Sequence, residues 1–310
     1  MRLQGMGLAL LFLVTLHSCS PFKLIERHTR KKLRKAGLGY HTLDAEDYTF
    51  SYWDSGAEDK PVYVLFHGFG SSTHLHWYKQ AKALAKTHRL ILPNLLYHGS
   101  EPKGQRGYGT QDQVNAMSSL LEKLDVDSMV LGGISYGGLI AAELGMHNKS
   151  KVQKLTLFSS PVKFFTEADL EDVKARADVK DLYELMVPAD IEMMRKLGNI
   201  ALYKDRKIPR FIVKDIQQNL FQDEQRNRDF KALLDVVLID KEVLLNRTYT
   251  FDCPVLLVWG AEDELFPARV GQELNTYLPT SELHLIPKAG HGPNIEKSKQ
   301  FNDILLNFLN

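Results

Sequence analysis

Five residues in the middle of the chain, Gly133-Ile134-Ser135-Tyr136-Gly137, have the types and spacing to present a nucleophile. A serine hydroxyl attacks a carbonyl carbon only when it projects from the chain and a base takes its proton. A sharp strand-to-helix turn supplies the projection, and glycines two positions away on both sides let the backbone turn that tightly. A β-prone run at 128–131 stands before the serine and a helix-like segment at 139–146 follows it. Such a helix would aim its N-terminus, and the N–H of Tyr136, at the charge that develops on an attacked carbonyl.

The elements that must position this turn read as an alternation of strands and helices from residue 48 onward. Residues 48–53 alternate as a half-exposed strand does, and 61–66, 89–92 and 154–158 are apolar and β-rich. Residues 111–124 carry a helical pattern, 254–259 and 282–286 resume the strands, and 296–309 close with a helix. This order implies a mostly parallel central sheet with helices on both faces. Between 162 and 250 helical periodicity takes over: Val179, Leu182, Tyr183 and Met186 share one face, as do Ile212, Ile216 and Leu220. A helical insertion between strands of one sheet reads as a cap over the carboxyl ends of the strands, where open α/β sheets place their sites. Met186, Met193 and Met194 either line an apolar pocket there or hold the cap helices together. The core therefore divides into 48–161 and 251–310, with the cap at 162–250.

The remaining composition is that of an ordinary globular protein, 310 residues with 44% hydrophobic and 25% charged. A net charge of +1 gives no reason to expect a nucleic-acid partner. The first 19 residues stand apart. Arg2, an apolar run at 6–16 and then His17-Ser18-Cys19 describe a secretory signal, too short for the roughly 20 apolar residues that span a bilayer. Cys19 directly after the run resembles the bacterial lipoprotein signal, in which it becomes the lipidated first residue. An exported, membrane-anchored protein is the expectation, with an uncleaved N-terminal signal anchor as the alternative. The cluster Arg27, Arg30, Lys31, Lys32, Arg34 and Lys35 makes 20–47 a basic tether, resting on anionic headgroups, or else a solvated linker or the start of an amphipathic helix. Basic residues beside an apolar segment also tend to stay cytoplasmic, which opposes simple export. On the tether reading, residues 36–310 alone would be soluble and active. Cys253 is the sole other cysteine, so lipidation of Cys19 leaves no disulfide within the domain. No His/Cys cluster has the spacing of a metal site.

Four motifs in order carry a family resemblance over residues 48–310: His67-Gly68-Phe69-Gly70, Gly133-x-Ser135-x-Gly137, Trp259-Gly260-Ala261-Glu262-Asp263 and Gly290-His291-Gly292-Pro293. The chain resembles α/β-hydrolases of the capped, single-domain type, close to monoacylglycerol lipases, small esterases and meta-cleavage-product hydrolases. The resemblance implies the α/β-hydrolase fold and a triad in the order nucleophile, acid, histidine. Ser135 is then the nucleophile and His291 the base. Glu262, Asp263 and Glu264 are adjacent carboxylates, and Asp263, three residues after Gly260 and four before Pro267, matches the family loop. The oxyanion hole would be the backbone N–H groups of Phe69 and Tyr136, and no cofactor or metal is implied. Asn94 stands where relatives often carry Asp, at a position that supports the loop. His98, near Gly99, is expected to be structural, and His17, His28, His41, His74, His76, His88 and His147 receive no role. The expected activity is cleavage of a small-molecule carboxylic ester, monoacylglycerol-like with an apolar acyl group, through an acyl-enzyme. The alternatives are a C–C bond hydrolase of vinylogous diketones and a non-catalytic binding protein on the same fold. A serine nucleophile argues against the dehalogenases and epoxide hydrolases of this fold, which use Asp.

Overall fold

Strands form where short apolar runs are bounded by turn-forming residues, and the burial pattern of each run follows from its place in the sheet. The computed structural model describes residues 20–104, 106–203 and 208–310, so the signal segment 1–19, with Cys19, lies outside the described residues. The strands are β1 (Gly39–Asp44), β2 (Tyr48–Asp54), β3 (Val62–Phe66), β4 (Arg89–Pro93), β5 (Glu101–Pro102), β6 (Met129–Ile134), β7 (Val152–Phe158), β8 (Val255–Gly260) and β9 (Ser281–Ile286). They make one sheet in the order β1-β2-β4-β3-β6-β7-β8-β9, with the two-residue β5 on β2. β1 and β2 run antiparallel at one end, and all pairings from β4 to β9 are parallel. Along β8, Val255 and Leu257 join the core on one face while Leu256 and Val258 join the other. That is the period-2 alternation of a strand covered on both sides.

Chain order reverses between β3 and β6, which pair in parallel with Phe66 opposite Gly133. The loops leaving these two strands are therefore neighbours at the switch point, where a crevice opens in such sheets. Their carboxyl ends lead into the His67 loop and into Ser135.

The helices are α1 (Pro21–Lys35), α2 (Thr73–Trp77), α3 (Ala81–Leu84), α4 (Thr110–Lys123), α5 (Tyr136–His147), α6 (Glu167–Ala177), α7 (Leu182–Met186), α8 (Ile191–Ala201), α9 (Arg210–Phe221), α10 (Glu224–Asn246), α11 (Ala268–Tyr277), α12 (Pro293–Glu296) and α13 (Ser298–Leu309). α5 is buried from Tyr136 to Gly145, as its apolar, Gly- and Ala-rich sequence requires of a helix covered all round. α6 to α10 form the insertion between β7 and β8 that the sequence pattern places at 162–250. The final helical segment is broken at Lys297 into α12 and α13.

Of the readings of the basic segment, the tether is corrected and the helix start is the one the structure shows. Residues 21–35 fold as α1, with Ser20 capping the N-terminus, its hydroxyl accepting from the Lys23 N–H, and with Pro21 in the first turn. Phe22, Thr29 and Leu33 are buried, and Leu33 packs with Trp53, Tyr63 and Trp77. Residues 39–44 then add β1 to the sheet edge. Six cations conceal a stripe that needs only three inward residues. Among the described residues no helix is long and apolar enough to cross a membrane.

Candidate active site

The turn after β6 is as tight as the spacing of its glycines demands. Ser135 has φ 57° and ψ −128°, a backbone conformation that costs a non-glycine residue about 1–3 kcal/mol. Four hydrogen bonds hold it there: the Ser135 N–H to the Phe158 carbonyl (2.9 Å), and the Ser160 hydroxyl (2.8 Å), the Gly138 N–H (2.9 Å) and the Leu139 N–H (3.2 Å) to the Ser135 carbonyl. A Cβ on Gly133 would lie 2.2 Å from the Gly137 carbonyl oxygen, and one on Gly137 would lie 2.3 Å from that of His67. No larger residue fits at either position without moving backbone.

Asp263 and His291 come together from loops after β8 and β9. The His291 Nδ1–H donates to Asp263 Oδ2 at 2.9 Å, while Asp263 Oδ1 accepts the Leu265 and Phe266 N–H groups at 3.0 and 2.9 Å. Asp263 is buried. Both its oxygens are satisfied, so the carboxylate holds one orientation, and Nε2 of the imidazole is the nitrogen left to accept a proton. Of the three adjacent carboxylates, Asp263 is the one that reaches His291. Glu262 accepts from the Ala289 N–H at 3.2 Å instead, and Glu264 is exposed. The Phe266 ring meets the imidazole edge-on at 5.2 Å, and the Trp259 indole N–H donates to the Phe266 carbonyl at 2.8 Å.

The histidine loop is also tied to the cap. His291 N–H donates to the Ala201 carbonyl at 2.9 Å. The Glu296 carboxylate accepts from Gly290 N–H (2.8 Å) and from Tyr203 N–H (3.1 Å), so one side chain holds both backbones.

Three buried histidines surround the loop after β3; the sequence gave His67 only as part of a motif, His98 as structural and His76 no role. His67 Nε2 accepts from Leu95 N–H (3.1 Å), so its Nδ1–H donates to the Gly68 carbonyl (2.8 Å). His98 Nε2 accepts from Gly70 N–H (3.1 Å), so its Nδ1–H donates to the Leu96 carbonyl (2.9 Å). His76 Nδ1 faces Gly68 N–H at 3.4 Å. Burial pushes His67 down to about 4, and His76 and His98 down to about 3, which keeps all three neutral as these bonds require. With Gly68 and Gly70 directed at imidazoles, Phe69 carries the backbone N–H between them. Gly70 has φ 67°, the left-handed turn that shapes this loop. The Tyr136 N–H, first in α5, has no intrahelical acceptor. Asn94 accepts from Thr73 N–H (3.0 Å) and donates to the Ser51 hydroxyl (2.8 Å), the loop-supporting role expected of it.

Ser135 opens on a cavity of about 100 Å³ beneath the cap. Phe69, Leu139, Phe165, Leu170, Met186 and Leu234 are among its walls. Its one charged lining residue among those described, Lys163, donates its ammonium to the Leu245 and Arg247 carbonyls. Met186 lines this space, whereas Met194 packs against the core. Among the described residues no group of three or more His, Cys, Asp or Glu could hold a metal ion.

This arrangement has counterparts. Residues 61–298 match the family described as the alpha/beta hydrolase fold. The chain is 26% identical over 266 residues to a 2-hydroxy-6-oxononadienedioate/2-hydroxy-6-oxononatrienedioate hydrolase of Paraburkholderia phymatum, covering 83% of this chain and 90% of that protein. It is 24% identical over 270 residues to the pimeloyl-[acyl-carrier protein] methyl ester esterase of Vibrio cholerae, covering 83% and 97%. The crystal structure of a membrane phospholipase A, a bacterial virulence factor, superposes with a TM-score of 0.79 at 20% identity over 98% of this chain and 96% of that one. With three quarters of its length matched by the family model, the chain belongs to the alpha/beta hydrolase family.

Proposed function

We propose that the protein hydrolyses carboxylic esters with apolar acyl groups, using Ser135 as nucleophile, His291 as general base and acid, and Asp263 as the group that orients His291. Ser135 Oγ adds to the ester carbonyl as His291 Nε2 takes its proton, and the oxyanion is met by the N–H groups of Phe69 and Tyr136. Collapse breaks the bond to the alcohol, which leaves with the proton from His291. Water activated by the same imidazole then hydrolyses the acyl-enzyme and restores the serine. The observation that carries this reading is the apolar cavity against Ser135. It suits an acyl chain. A dicarboxylate such as that named for the Paraburkholderia relative would meet the cation Lys163 there, whose ammonium is already bonded to two carbonyls.

The test is a series of p-nitrophenyl esters on the protein and on Ser135→Ala. Burial of acyl carbons contributes about 0.8 kcal/mol per methylene, so kcat/KM should rise about fourfold per added carbon until the cavity is filled. Ser135→Ala should lose both turnover and fluorophosphonate labelling. A label on another serine, or turnover of a 2-hydroxy-6-oxo-dienoate in place of esters, rules the reading out. The signal reading of 1–19 adds export and anchoring through Cys19, which mass spectrometry of the mature N-terminus decides.

A further inference from the structure

The outward surface of α1 combines exposed cations with exposed apolar side chains. Its one acid, Glu26, turns inward, 3.5 Å from His74 Nε2 and 3.5 Å from Arg30. Lys23, Arg27, Lys31, Lys32, Arg34 and Lys35 are exposed, on a chain whose net charge is only +1. At the N-terminal end two large apolar side chains stand in water among these cations, Leu24 at 52% and Ile25 at 41% exposure. A third joins them from the cap. Asp215 of α9 accepts from the Ser20 hydroxyl (2.8 Å) and the Phe22 N–H (2.6 Å), which fixes the start of α1 beside α9. Phe211, one turn before Asp215 and so on the same side of α9, is 65% exposed, with Arg210 and Lys214 exposed around it.

Leaving three large apolar groups in water forgoes the stabilisation that burying them would give, and ringing them with cations adds nothing to folding. The combination fits a lipid–water interface, where apolar tips enter the acyl boundary and cations meet phosphates. A nucleic acid would match the charge but not the apolar tips. In sequence, three residues separate the apolar run at 6–16 from Ser20, the cap of α1. We propose that α1 and the first turn of α9 dock flat on a bilayer of anionic phospholipid, with Leu24, Ile25 and Phe211 inserted. This deepens, and rests on, the reading of the protein as a membrane-side ester hydrolase. It adds a second attachment, made by the folded domain and independent of any lipid on Cys19.

The native indoles suit a test, because Trp53, Trp77 and Trp259 are all fully buried. Full-length protein carrying Leu24→Trp, Phe211→Trp or, as a control on the exposed α13, Lys299→Trp is mixed with vesicles containing doxyl-labelled phospholipid. With phosphatidylglycerol present, the indoles introduced at 24 and 211 should be quenched and the one at 299 should not. Adding Lys23→Glu, Arg27→Glu, Lys31→Glu and Lys214→Glu should abolish the quenching and leave turnover of a soluble p-nitrophenyl ester unchanged. If the protein floats with vesicles and cleaves esters but neither indole is quenched, the surface is wrong while the anchoring and esterase readings stand. Failure to float on any vesicle overturns docking and anchoring together. Equal quenching in pure phosphatidylcholine overturns the anionic requirement, and displacement from vesicles by RNA assigns the cations to another partner.

Discussion

Asp263 uses one oxygen to fix its loop and the other to fix His291. An amide there would still accept from the Leu265 and Phe266 N–H groups but would present an NH2 to the imidazole, reversing the tautomer. Asp263→Asn should therefore lower kcat by about 10⁴-fold, the cost of amidating a triad aspartate, with little change in KM. Glu262→Gln keeps an oxygen for the Ala289 N–H and should cost far less, as should Glu264→Gln. Steady-state kinetics of the three variants decides the assignment, and a larger loss at either glutamate moves the role there. Asp263 was legible through the family resemblance, which places the acid three residues after Gly260 and four before Pro267, and not through the residues alone, since Glu262 and Glu264 flank it. His98 was legible only as a structural residue. Its acceptor role depends on Gly70, 28 positions away, and on a turn that no local pattern announces.

At the scale of the element, the buried strands were the readable part. β3 and β8 are covered on both faces, so they are apolar without interruption and their bounds fall within a residue or two of the expectation. β1 was missed because it is an edge strand whose residues are mostly exposed. α1 was legible only as an alternative to a tether, because its short buried stripe lies under a dense coat of charge. Its inward residue Leu33 is fully buried against Trp53 and Trp77. Leu33→Ala should destabilise the protein by about 2–5 kcal/mol, read as a lower urea midpoint at unchanged slope. A chain starting at residue 36 would expose that same tryptophan cluster and should aggregate, contrary to the tether reading. A mutant as stable as the parent would show that α1 adds nothing to the core.

Across the whole molecule, acid should loosen the fold sooner than carboxylate titration alone would. Burial lowers the pKa of His67, His74, His76, His88 and His98. Each therefore binds a proton more readily in the unfolded chain, whose imidazoles titrate near 6.5. The stability they contribute is fully present above about pH 6.5 and is lost as pH falls towards 4 and 3, where His67, His76 and His98 would titrate folded. The thermal midpoint should decline steadily between pH 6.5 and 4, and a flat midpoint over that range would contradict it. The cap, meanwhile, is held on every side. Lys163 ties its two stems through the Leu245 and Arg247 carbonyls, and Asp169 of α6 takes Arg269 of α11 at 2.6 Å. Asp215 holds α1, and Ala201 and Tyr203 are bonded to His291 and to Glu296. On the proposed ester reading, the space that sizes the acyl chain is the cavity of about 100 Å³ beside Ser135, walled partly by a cap bonded to the core in several places.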